Sequence, residues 1–234
     1  MIKDKLNKIL ISVESSVIKM DKIINQELKE YIQEKILPEY DLNDKGHNKE
    51  HIDFVLNRAY ELSVNHDINY DMLYTVVCYH DIACHINREE HEVLSAQRLF
   101  LDENLNKYFD KTQLLLMKEA IEDHRASLEY IPRNIYGKIL SSADRKIDVD
   151  IYLKSSMSFS LKKNPHISEE ELIEDSYFFA IKKFGKNGYA VQKMYIEDVK
   201  YKAFLDEIQY LIENKEHFIN RAKKVLEEIK NEIM

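Results

Sequence analysis

The sequence predicts an all-α protein, and three observations carry that expectation. Only four Gly and three Pro occur in 234 residues, so few positions interrupt a helix. Charged residues make up 32% of the chain, much of it Lys and Glu, which favour helices joined by short turns. Apolar residues recur at spacings of three and four, as on helices with one buried face. The length suits one sizeable core or two small ones, and nothing in the composition splits the chain cleanly. The expected organisation is a single globular unit: an N-terminal helical segment over residues 1–45, a central core over 46–150 and a C-terminal helical extension over 151–234.

The elements follow in order. Ile9, Val13, Val17 and Ile24, then Leu28, Ile32 and Ile36, recur at helical spacing until Leu37-Pro38, where proline stops the pattern. Residues 39–46 are polar and turn-like. A helix starting near His47 to Glu50 runs through Val55, Leu56, Ala59 and Leu62 and places His51 in its first turn. A helix from about Tyr70, apolar at Met72, Leu73, Val76 and Val77, delivers His80 and Asp81 at its C-terminal end, and residues 82–87 form a loop. From Arg88 the chain is helical again, with His91 near the start and Val93, Ala96, Leu99 and Phe100 on one face.

Residues 111–124 are amphipathic through Leu114, Leu115, Met117, Ala120 and Ile121 and end beside the turn-prone stretch 126–133. One helix over 135–151 carries Ile139, Leu140, Ala143 and Ile147 as a buried stripe, with Asp144 on its flank. The polar stretch 162–168 precedes a helical tail with two patterns. The first holds Leu172, Tyr177, Phe178 and Ile181; the second spans 199–233 through Leu205, Ile208, Ile212, Phe218, Ala222, Val225 and Ile229. This tail is a scaffold, a pocket wall or the surface of a homodimer.

A net charge of −8 argues against a nucleic-acid polymer as partner, because affinity for a phosphate backbone rests on a surplus of Lys and Arg. Small phosphates can still be drawn to a local basic pocket. Cys78 and Cys84 match neither a redox pair nor a zinc knuckle, and are expected to be reduced core thiols. Residues 1–17 hold only the short apolar piece Ile9-Leu10-Ile11, so neither a signal peptide nor a membrane span is expected, and a cytoplasmic location follows.

Seven of the nine histidines (His47, His51, His66, His80, His85, His91 and His124) fall between positions 47 and 124. Any one of them alone is accounted for as a surface or hydrogen-bonded core residue. The set His51, His80, Asp81 and Asp144 is different, because each member lies at a helix end or beside an apolar stripe and can point inward. Mixed imidazole and carboxylate ligation suits a divalent transition metal (Mn, Fe, Ni, Co or Zn) better than Ca or Mg.

The motifs resemble those of the HD superfamily of metal-dependent phosphohydrolases. His47-Asn48-Lys49-Glu50-His51-Ile52 with Val55 is similar to the opening histidine motif, Tyr79-His80-Asp81-Ile82 to the doublet, and Ser142-Ala143-Asp144-Arg145 to the closing aspartate motif. The resemblance covers about 46–150, with a helical HD-domain fold implied there, and does not reach the tail. It implies that His51, His80, Asp81 and Asp144 bind one metal ion, which is the expected content; some branches add two histidines for a second ion, and His91 and His124 occupy positions that suit this alternative. The chain lacks the Gly-Tyr-Pro motif of the cyclic-di-GMP phosphodiesterase branch, and Phe54 stands where other relatives carry arginine.

The implied activity is hydrolysis of a nucleotide or other small phosphorylated metabolite through a metal-activated water. A divalent cation can lower the pKa of its water from about 16 to roughly 7 and neutralise a phosphoryl oxygen. Asp81 is placed in the catalytic set with Arg125 and Arg145, which follow His124 and Asp144 and can bind phosphate oxygens bidentately. Arg133, Lys138 and Lys146 fit a solvated helix face. His47 fits a supporting position behind His51. His85 is a loop ligand, an acid for the departing oxygen or an exposed loop residue. Tyr79, Tyr136 and Tyr152 are candidates for an aromatic wall. The alternative is a non-catalytic metal- or nucleotide-binding module that signals to a partner through its helical tail. No P-loop or dinucleotide fingerprint selects a substrate.

Overall fold

A computed structural model describes residues 24–233, and no strand occurs among them. The positions Ile9, Val13 and Val17, and the apolar piece Ile9-Leu10-Ile11, lie outside the described residues. The all-α expectation holds. The chain divides into two compact units, the first ending at Asp144 and the second starting at Arg145.

In the first unit, α1 (Gln26–Tyr31) starts where the Asn25 side chain accepts from the Leu28 amide, satisfying a donor that a helix start leaves free. It runs on through a π turn, Ile32–Ile36, into a 3₁₀ helix, Leu37–Leu42, with Pro38 in the first turn, where no amide hydrogen is required. Leu28, Ile32 and Ile36 are fully buried, as their spacing predicts. Helix α2 (Lys49–Ser63) is capped by Asn48, which accepts from the His51 amide and so fixes His51 in the first turn. Helix α3 (Tyr70–Tyr79) is buried at every position from Met72 to Tyr79.

Helix α4 (His91–Phe100) begins three residues later than the Arg88 start read from sequence. Helix α5 (Lys111–Glu122) opens with a reciprocal capping box between Asp110 and Gln113, and α6 (Ile135–Ala143) with Asn134. Helix α5 packs against α3, α4 and α6, while α2 packs against α3 and α6. Val93 and Leu115, expected on buried faces, are exposed, and the buried side of α4 is Ser95, Ala96 and Leu99.

The single helix expected over 135–151 is two helices. Helix α6 ends at Ala143, and a new one, α7 (Val149–Lys163), starts where the Asp148 side chain accepts from the Ile151 amide. A competing N-cap therefore breaks an otherwise continuous apolar stripe. Asp144 is the residue that caps α6 rather than a flank position.

The second unit contains α7, α8 (Glu169–Phe184), α9 (Val199–Glu213) and α10 (Lys215–Ile233). Helix α7 thus belongs to the same unit as α8 to α10. Tyr152, Phe184 and Phe204 meet edge to face at the centre of its core, with ring centroids 5.0–6.3 Å apart. On α8 the buried face is Leu172, Ile173, Ala180 and Phe184, while Phe178 and Ile181 are exposed. The pattern over 199–233 is likewise split, at Asn214, whose side chain donates to the Tyr210 carbonyl.

Candidate metal centre

The sequence-predicted ligands of the first unit converge. His51 comes from the first turn of α2, His80 caps α3, and Asp81 follows in the turn after it. His91 opens α4, His124 follows the end of α5, and Asp144 caps α6. His51 Nε2 lies 3.1 Å from Asp144 Oδ1 and 3.5 Å from Asp81 Oδ2, and His80 Nε2 is 3.3 Å from that same Asp81 oxygen. The other Asp81 oxygen, Oδ1, is 3.2 Å from His91 Nε2 and 3.5 Å from His124 Nε2. Asp81 therefore divides its two oxygens between two histidine pairs.

The orientation of each imidazole follows from its neighbours. His80 Nδ1 contacts the Val77 carbonyl at 2.7 Å, His91 Nδ1 that of Arg88 at 2.9 Å, and His124 Nδ1 that of Ile121 at 2.6 Å. A carbonyl oxygen can only accept, so each Nδ1 carries a hydrogen, and in the neutral ring each Nε2 then presents a lone pair to the cluster. A backbone partner of this kind is how ligating histidines are commonly held.

Three features fit a cation. His80, Asp81 and His124 are at most 2% exposed, and buried polar groups without partners are costly. His51 Nε2, His80 Nε2 and Asp81 Oδ1 nevertheless make no hydrogen bond within the described structure. The donor spacings of 3.1–3.5 Å match neighbouring ligands on an ion with bonds of about 2.0–2.2 Å. Within the cluster, His51, His80 and Asp81 form one group able to hold a metal, Asp81, His91 and His124 another, and His80, His124 and Asp144 a third.

Electrostatics follow the same arrangement. Burial opposes a charge on His51, but the Asp144 and Asp81 carboxylates outweigh it and raise its pKa to about 9. Burial would likewise raise Asp81, yet the surrounding imidazoles hold its carboxyl well below the usual range, and Asp144 is lowered in the same way by His51. His47 is lowered, chiefly by burial.

Several supporting contacts had no signal in the sequence. Asn43 Nδ2 donates to the backbone carbonyls of His47 and Asp81, at 3.1 and 3.0 Å, while its Oδ1 accepts from the His85 amide at 2.9 Å. The Tyr40 hydroxyl accepts from the Asp81 amide, and Ser95 Oγ from the Ala83 amide, which ties the turn after the doublet to α4. Asp44 was equally silent. Its Oδ1 lies 2.8 Å from His47 Nδ1, so His47 stands beside the cluster on its own carboxylate support.

The remaining sequence candidates are placed as follows. Arg125 donates through Nη1 to the Glu89 carbonyl at 2.6 Å and to Glu92 at 3.0 Å. The buried Arg145 guanidinium lies over the Tyr201 and Tyr195 rings, 4.9 and 5.6 Å from their centroids. Arg133 is held by Asp123 and Glu122. His85 is exposed and contacts Asn43. Tyr79 is buried with its hydroxyl donating to Asp102, Tyr136 accepts from the Asn69 amide, and Tyr152 is in the second-unit core. Cys78 is buried as expected, but Cys84 is only half-buried and is not a core thiol. Burial raises both thiols above their ordinary range.

No helix among the described residues is long and apolar enough to cross a membrane. Comparison with protein-family models, with curated proteins and with solved structures finds no significant match to this chain.

Proposed function

We propose that this chain is an HD-type phosphohydrolase that acts on a nucleotide or other small phosphorylated metabolite with two divalent transition-metal ions. The observation that carries the reading is the split of the Asp81 carboxylate between two histidine pairs, at 3.2–3.5 Å on each side. The order and spacing of His51, His80-Asp81 and Asp144 in a helical scaffold support it.

In this reading His51, His80, Asp81 and Asp144 hold one ion, and Asp81, His91 and His124 the other. Bound divalent ions would supply Lewis acidity toward water and toward a phosphoryl oxygen. The residues do the positioning: three Nδ1–H groups anchored on carbonyls keep the lone pairs aimed inward, and Asn43 fixes the backbone of Asp81. Arg125, beside Glu92 at the His91 end, takes phosphoryl oxygens. Arg145, already engaged over Tyr201 and Tyr195, is left out of that role.

The test is elemental mass spectrometry of purified protein together with phosphate and pyrophosphate release from a panel of nucleotides and sugar phosphates. Near two equivalents of metal, with turnover lost in Asp81→Ala and helicity retained, is the expected result. Tight ligand binding with no product in any metal would replace the hydrolase with a binding module. Failure to take up Mn, Fe, Co, Ni or Zn would overturn both.

A further inference from the structure

A fourth donor group borders the cluster. One ligand atom each from His47, Asp81 and Cys84 lie within 4.8 Å of one another, and neither His47 nor Cys84 has a task in the proposed hydrolase. We propose that these three residues form an alternative, thiolate-bearing site for a thiophilic divalent cation such as zinc or cadmium, filled at the expense of the Asp81-bridged pair. The proposal rests on the hydrolase reading only through the sharing of Asp81.

The geometry is prepared for it. His47 Nδ1 lies 2.8 Å from Asp44 Oδ1, an acceptor, and in the tautomer that gives its hydrogen to this carboxylate Nε2 carries the lone pair that a cation needs. Arg88 Nη1, 3.1 Å from the same nitrogen and 3.4 Å from Asp44 Oδ2, adds positive charge beside that carboxylate. Asn43 bonds the His47 carbonyl, the Asp81 carbonyl and the His85 amide, which locks the His47 turn to the segment that carries Cys84. Independently of these bonds, Asp81 is 2% exposed and its Oδ1 has no hydrogen-bond partner in the described structure. A sulfur ligand makes this donor set the softest in the first unit, because Cys78 is buried in α3.

Competition follows from the carboxylate. Two oxygens of Asp81 already face four imidazoles, so a cation held at His47 and Cys84 draws on an oxygen that the other ions need. On binding, the Cys84 S–H bond breaks, its proton leaves to solvent and a sulfur–metal bond forms. No electron is transferred.

Cadmium(II) is the probe, added to full-length protein and followed by ultraviolet difference absorption for the thiolate-to-cadmium band. The band is expected in the wild type and in Cys78→Ser, absent in Cys84→Ser, and shifted to at least tenfold higher cadmium in His47→Ala. A wild type without the band, or a band that survives Cys84→Ser, overturns the proposal. A second measurement needs no variant: saturating cadmium should protect Cys84 of the wild type from iodoacetamide, read by peptide mass, and unchanged alkylation is equally fatal. Failure of the hydrolase reading shows separately, as loss of uptake of the non-thiophilic ion manganese with the cadmium band intact.

Discussion

His91 Nε2 and His124 Nε2 face each other at 3.2 Å, while each Nδ1 is turned to a backbone carbonyl three residues earlier in the chain. Two neutral imidazoles so arranged oppose lone pair to lone pair, an arrangement that only a proton or a cation between them relieves. His124→Ala is therefore expected to lower the metal content from about two equivalents to about one, with the His51 side still loaded. Elemental analysis of wild type and variant, prepared in parallel, checks this; an unchanged content would remove His124 from the ligand set.

Arg125 separates two roles. Its Nη1 bonds to Glu89 and Glu92 hold the approach to α4, and the proposed function also gives it the substrate's phosphoryl oxygens. Arg125→Ala is expected to raise KM roughly tenfold, about 1.4 kcal/mol, with both metal equivalents retained. Loss of one metal equivalent without a change in KM would instead identify Arg125 as a support for His91 alone. Steady-state kinetics and metal analysis on one preparation give both numbers.

Asp102 should make stability depend on pH. Its Oδ2 accepts from the Tyr31 and Tyr79 hydroxyls at 2.6 and 2.7 Å, and its Oδ1 from the Asn104 amide at 3.1 Å. Burial raises its pKa, but these hydrogen bonds win and the folded value lies below the ordinary one. The unfolded state then takes up the proton first as pH falls, so the stabilisation is complete above the unfolded pKa of about 3.9 and is lost through the lower, folded value. Asp102→Asn is expected to cost about 1–3 kcal/mol at pH 7 and progressively less below pH 4. Denaturant melts of both proteins from pH 3 to 7 test the convergence.

Gly137 sits where α6 crosses α5. A Cβ there would lie 3.2 Å from Pro132 Cβ and 3.3 Å from the Ala120 Cα, so the backbone of α5 would have to yield. Gly137→Ala is expected to destabilise the protein by roughly 1–3 kcal/mol through overpacking, despite the better helix propensity of alanine. Thermal melting reads the sign directly: a raised Tm would mean that the helices separate freely.

Much of the local structure was written in residues a few positions apart. The 3.6-residue period marked the buried faces of α1 to α3, Asn48 stood ready to cap α2, and the His80-Asp81 doublet lay at the end of an apolar helix. The apolar period misled at 135–151, where Asp148 caps a new helix, and on α8, where Phe178 and Ile181 face outward. Both errors have one cause: period alone ranks apolar residues equally, while caps and neighbouring helices choose among them.

By itself the sequence determined an all-helical chain and a set of residue types suited to a divalent metal, because helix period, capping and ligand chemistry act within a few residues. Only the tertiary structure decided that Asp81 stands between two histidine pairs, that Asn43 ties His47 to the doublet's turn, and that Cys84 borders the cluster. Those relations bring together segments ten to more than forty positions apart, and their distances are set by how the helices of the first unit pack, which no local pattern encodes.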